Sequence, residues 1–263
     1  MAKGTYLGLI CVLFLCAEPS ASDAPQATPI TVRHIEGLVH GFLVMRTMDG
    51  NIIAEGDLAQ TVKGPEVTSR LVFHFKDGSL QDETTTFSQV KSFRLLSDHL
   101  IQKGPAFKTP MDLTVDGVTG DVTVRYADDQ GKPKESMERL NIPANLANGM
   151  VPLLLKNVPS GASQWTLSMV VATPKPRLVK LAVSVAGRDS FSVGTSSYKA
   201  IHYVAKIDLG GVTGVVAPIV GKQPQDSHVW IMDSKAPVFL RSEGPQFEGG
   251  PSWQVELTSP TWR

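Results

Sequence analysis

Trp165-Thr166-Leu167-Ser168-Met169-Val170-Val171 and the later run Val179-Lys180-Leu181-Ala182-Val183-Ser184-Val185 decide the fold. In the first, Trp165, Leu167, Met169 and Val171 occupy every second position. In the second, Val179, Leu181, Val183 and Val185 do the same, with Lys180, Ala182 and Ser184 between them. Successive side chains on a strand point to opposite faces, so each run predicts a strand with one buried and one wet face. The pattern recurs in Ile201, Tyr203, Ala205, Ile207 and Leu209, which alternate with His202, Val204, Lys206 and Asp208. It returns in Trp253, Val255 and Leu257 around Gln254 and Glu256.

Short apolar-rich runs begin near Leu38 and are broken by Asp49-Gly50, Asp77-Gly78, Asp116-Gly117, Gly120-Asp121 and Gln130-Gly131. Such pairs supply the left-handed backbone of tight hairpins, so strands joined in chain order are expected, not strand–helix–strand units. One segment departs from this. Ile142 to Asn157 lacks alternation and holds good helix formers. Pro143 suits a helix start and Pro152 a break, which predicts two short helical pieces meeting near Asn148-Gly149. The expected fold is therefore mainly β: a long curled antiparallel sheet, a half-barrel or open barrel, with one short kinked helical plug. Its hollow would be lined by Phe42, Phe73, Phe87, Phe93, Met150, Leu154, Trp165 and Trp230.

The N-terminus reads as a secretory leader over residues 1–22. Lys3 precedes the apolar run Leu7 to Cys16, and Ser20-Ala21-Ser22 supplies small residues for cleavage. The run falls short of the ~20 apolar residues of a membrane span. A periplasmic or secreted bacterial location is expected, followed by a flexible lead-in over 23–36 and one β-rich domain over 37–263. Both cysteines, Cys11 and Cys16, lie in the leader, so the mature chain would rely on an ordinary core instead of disulfides. Leu13-Phe14-Leu15-Cys16 resembles a lipoprotein box, but bulky Leu15 stands where a small residue is wanted. Whether Cys16 carries a lipid stays open.

Charge excludes some partners. Lys and Arg number 25, Asp and Glu 25, and the leader removes one of each (Lys3 and Glu18). Without a basic stretch, a nucleic-acid footprint is not expected. The six histidines, His34, His40, His74, His99, His202 and His228, have no close metal-ligand spacing, so neither metal nor other cofactor is expected. No Gly-x-Ser-x-Gly elbow is present, and Thr195-Ser196-Ser197 reads as a turn. Gly214 and Gly221 enclose six residues and Gln223 follows Lys222, against a phosphate loop; Val212 to Val220 reads as a strand.

Asp82 and Glu83 are adjacent on a strand and cannot both face one sugar. A polar cluster of Arg94, Asp98, His99 and Gln102 remains, with Asp98 expected on the face of Arg94 and Gln102. An Arg94–Asp98 ion pair would be its structural reading.

Phe73-His74-Phe75-Lys76-Asp77-Gly78, Ser97 to Pro105, Ala147-Asn148-Gly149-Met150 and His228-Val229-Trp230-Ile231 resemble an uncharacterised exported bacterial family, a domain of unknown function. The plan is distantly similar to the periplasmic lipoprotein-carrier and outer-membrane lipid-carrier half-barrels. That likeness implies a concave apolar pocket for acyl chains and no catalytic residue. The expected function is a non-enzymatic binder or carrier of an apolar, lipid-like ligand. The alternatives are an envelope structural or protein-interaction module using an exposed strand edge, or an unidentified hydrolase acting through Asp98 and His99.

Overall fold

The computed structural model describes residues 28–128, 130–159, 164–193, 195–208 and 225–258. The leader and the Gly210 to Gly221 stretch lie outside the described residues. The described chain is mainly β, with one antiparallel sheet of fourteen strands, not closed into a barrel, and one short helix.

The strands up to the helix are β1 (Val39–Thr47), β2 (Ile52–Lys63), β3 (Glu66–Phe75), β4 (Leu80–Gln89), β5 (Phe93–Lys103), β6 (Met111–Asp116), β7 (Asp121–Ala127) and β8 (Pro133–Arg139). After helix α1 (Val151–Asn157) come β9 (Gln164–Val171), β10 (Arg177–Val193), β11 (Ser196–Asp208), β12 (Ser227–Met232), β13 (Phe239–Pro245) and β14 (Ser252–Thr258). The spatial order runs β8 to β1, then β14 back to β9, so the first and last strands of the chain's pattern meet in mid-sheet through Leu43↔Leu257 and Met45↔Val255. Each hairpin pairs neighbours in sequence, as the turn signals require.

Most of the alternation read from sequence is seen; the exceptions are Val185, at a bulge, and Leu257, which are exposed, and Ser168 and Val170, which are buried on the opposite face against Asn145 and Asn148. Leu167, Leu181, Val183, Tyr203, Val229 and Ile231 share one buried face across β9 to β12. Met150, Leu153, Leu154 and Leu155 fill the concave side against them and against Phe87, Leu95, Leu113 and Val124. Burial of each such side chain is worth about 1.5–3 kcal/mol.

Two local expectations change. Pro152 falls in the first turn of α1, where its missing N–H has no intrahelical partner to lose, so it starts the helix instead of breaking it. The residues before it form turns, not a helical piece: Leu146 bridges Ser168, and Asn145 and Asn148 bond the backbone of Thr166 and Val170. That segment seals the β9 edge of the sheet, which would otherwise expose unpaired donors and acceptors. Between β6 and β7, the left-handed residue is Gly120 (φ 83°), not Gly117. Gly117 is needed for close approach, since a Cβ there would lie 2.4 Å from the Leu95 carbonyl oxygen.

The two rims of the curled sheet are closed differently. One carries the β2–β3, β4–β5 and β6–β7 turns and is crossed by residues 30–38. This strap, part of the polar lead-in, is tied down by hydrogen bonds from Arg33 N and His34 N to Asn157 Oδ1 (2.8 and 2.7 Å). A Glu36–Gln89 side-chain and backbone pair and a Lys156–Glu36 ion pair at 2.6 Å complete it. The opposite rim carries the β3–β4, β5–β6 and β13–β14 turns. It is packed by Phe75, Phe107, Phe247 and Trp253, with ring centroids 5.4–6.2 Å apart.

Candidate functional site

The polar cluster expected on β5 is divided between the two faces. Register shifts at Leu96, because Phe87 pairs with Leu95 while Thr86 pairs with Ser97. This bulge reverses the alternation, leaving Arg94 exposed while Asp98 and Gln102 face inward. Asp98 bonds Thr85, not Arg94: Thr85 Oγ1 donates to its Oδ1 at 2.8 Å. His99 points outward and pairs with Asp112 at 3.0 Å. Asp98 and His99, on opposite faces of one strand, cannot serve one reaction centre.

On the concave face, Asp98 continues a polar stripe formed by Gln81, Glu83, Thr85 and Gln102. Gln102 Nε2 donates to Gln81 Oε1 and to the Gln246 carbonyl. Asp98 is 1% exposed, and its Oδ2 has no hydrogen-bond partner among the described residues. Burial pushes its pKa up to about 6, against the Thr85 hydrogen bond and the nearby His99. Glu83 is half-buried; burial first and the Asp98 charge second push its carboxyl up to about 8. Sequence reasoning separated Asp82 from Glu83 but did not single out Glu83. Asp82 turns outward to a bidentate pair with Arg70 (2.9 and 2.6 Å), which holds its carboxyl below the usual range.

Of the expected lining residues, Phe73, Phe87, Phe93, Met150 and Leu154 are buried within the curled sheet, and Trp165 packs half-buried at its margin. Phe42 and Trp230 are corrections, since register puts both on the outer face. Phe42 lies beside His40. Trp230 stacks on His202 at 4.3 Å and donates from Nε1 to Asp189 (2.7 Å), while His202 and His228 share a 2.9 Å hydrogen bond. Burial, then His228, lowers the His202 pKa. Among the described residues no group of three or more His, Cys, Asp or Glu could hold a metal ion.

Open space lies at the rims. At the strap rim, a cleft of about 360 Å³ runs between Pro29, Phe93, Leu95, Gly117, Ile142 and Leu146, with Ser92, Arg94, Pro143 and Ala144 completing its wall. Polar and apolar groups share its lining about equally, with one guanidinium. At the aromatic rim, a cleft of about 220 Å³ is bounded by Gln102, Lys108, Met111, Thr173, Phe247 and Glu248, among others. The larger cleft falls within the size range of small-molecule sites, and the smaller falls below it.

No described helix is long and apolar enough to cross a membrane. No family model and no curated protein matches the chain. Among solved structures, the chain is similar to a β-barrel-like protein of a domain of unknown function, DUF1849, from Brucella abortus, at 10% identity and a TM-score of 0.46, over 88% of this chain and 100% of that one.

Proposed function

We propose that the protein is a non-enzymatic binder of an apolar small molecule, lipid-like in character, and that it works in the bacterial periplasm or outside the cell. The observation that carries the reading is the cleft at the strap rim, about 360 Å³, walled by Phe93, Leu95, Ile142 and Leu146 with Arg94 as its one charged group. An acyl chain would lie along the half-exposed Ile142 and Pro143, over the buried Phe93, Leu95 and Leu146, at about 0.8 kcal/mol per buried methylene. A carboxylate or phosphate head would lie toward Arg94, which forms no ion pair with a described residue. The ligand sits beside the plug in this reading, not beneath it, because α1 and Met150 fill the concave side.

The alternatives have less support. Separation of Asp98 from His99 removes the dyad a hydrolase would have used. The β8 edge begins at Pro133 and carries Lys134, Glu135, Glu138 and Arg139, features that discourage strand pairing with another chain.

The test is titration with a fluorescent fatty acid, with mass spectrometry of organic extracts of the purified protein. Ala144 is exposed on the cleft wall, so Ala144→Trp fills the space with little strain on the fold. Wild type should bind and Ala144→Trp should lose at least about tenfold in affinity, equivalent to roughly 1.4 kcal/mol. A wild-type protein that extracts ligand-free and ignores the probe ends the reading.

A further inference from the structure

Large apolar side chains left exposed are concentrated at the strap rim. Ile35 and Leu38 on the strap are 80% and 83% exposed. Val62 at the β2–β3 turn, Val90 at the β4–β5 turn, Val118 at the β6–β7 turn and Val238 before β13 add to them. At the aromatic rim, Met48 is the one counterpart among the described residues.

The first four belong to one connected patch. Gln60 Nε2 donates to the Gly37 carbonyl at 2.8 Å, Gln89 N donates to the Pro65 carbonyl at 3.0 Å, and Val32 N donates to the Lys91 carbonyl at 3.0 Å. The strap, the β2–β3 hairpin and the β4–β5 turn are thus bonded together, and their tips project side by side.

The charges around these tips are one-sided. Arg33 on the strap, Lys63 on the hairpin and Lys91 on the turn are exposed and form no ion pair with a described residue. His34 is half-buried between them. The Glu36 carboxylate is neutralised by Lys156, which leaves Glu66 as the one exposed carboxylate of the three segments. Exposed apolar residues rimmed by cations match an anionic surface that also has an oily interior.

We propose that the strap rim docks on an anionic lipid bilayer, with Ile35, Leu38, Val62 and Val90 entering the headgroup layer and Arg33, Lys63 and Lys91 facing lipid phosphates. The form of the patch favours a membrane over a protein. Its apolar groups are separate tips on different loops, which a fluid bilayer accommodates one by one. A protein partner would need a matched socket for each. The inference goes beyond the ligand reading and stands without it, although the cleft shares this rim through Ser92, Phe93 and Gly117.

Co-sedimentation of the purified protein with vesicles of phosphatidylglycerol and phosphatidylethanolamine, compared with pure phosphatidylcholine, tests the proposal. Wild type should bind the anionic vesicles and leave them as salt rises. Lys63→Glu with Lys91→Glu should weaken partitioning by about fivefold or more for each cation. Ile35→Ser with Leu38→Ser should lose binding even at low salt, while Met48→Ser binds as wild type. Failure of wild type to bind anionic vesicles overturns the proposal, as do wild-type binding by both double variants or an equal loss in Met48→Ser. A protein that ignores vesicles but self-associates through Ile35 and Leu38 would assign the patch to a second copy, which also overturns it. Fatty-acid binding without vesicles reads the cleft separately, so loss of docking with intact fatty-acid binding removes this inference alone.

Discussion

The two rims of the curled sheet solve the same problem by opposite means. At the aromatic rim, Phe75, Phe107, Phe247 and Trp253 pack edge to face and exclude water. At the strap rim, the nine-residue segment 30–38 is held by Asn157, Gln60, Gln89 and Lys156 through hydrogen bonds and one ion pair. Aromatic packing is lost only as a block, whereas hydrogen bonds to a surface strap can be exchanged for water one at a time. The difference assigns rigidity to one end and adaptability to the other. The larger cleft and the exposed apolar tips both lie at the adaptable end.

The comparison breaks most readily at Phe107. Its ring touches three other aromatic rings and is almost fully buried. Phe107→Ala should destabilise the whole protein by about 3–5 kcal/mol, because the surrounding rings cannot collapse into the space. Urea unfolding would measure it. A loss below ~1 kcal/mol would mean that this rim is as loosely held as the other.

Asn157→Ala is the matching change at the strap. It removes the acceptor for Arg33 N and His34 N, yet the freed segment can move into water instead of leaving buried donors unpaired. The global loss should therefore be only about 1–2 kcal/mol. Amide exchange at Val32 to Glu36 should rise sharply while that of β1 to β5 stays slow. Uniform acceleration across the sheet would show that the strap is integral to the core.

The sheet was legible in sequence and the site was not, for a physical reason. Alternation in Trp165 to Val171 and Val179 to Val185 reports which face is buried, and that alone specifies one-sided antiparallel strands. A single bulged residue leaves no compositional mark: Leu96 lies in a run apolar enough to read either way, and its insertion separated Arg94 from Asp98. The strap was hidden because its partners are distant. Arg33 and His34 meet Asn157 more than 120 residues away, and nothing in a polar, Pro-rich lead-in announces an anchor. Phe42 and Trp230 are bulky enough to suggest an interior, but size does not fix the face; register does.

Between the rims lies the stripe that should respond to pH. Glu83 and Asp98 have folded pKa values of about 8 and about 6, above their ordinary values of 4.5 and 3.8. The folded state therefore binds protons that the unfolded chain has released. Their contribution to stability is fully present below pH ~4 and is lost as pH rises through about 6 and then about 8. Glu83→Gln keeps the shape and removes one ionisation, so it should raise Tm by several degrees at pH 8.5 and change it little at pH 4. Thermal unfolding at the two pH values checks the sign. If wild type and variant keep the same difference at both, the Glu83 carboxyl is hydrated, and water already reaches the middle of the curled sheet from one of its rims.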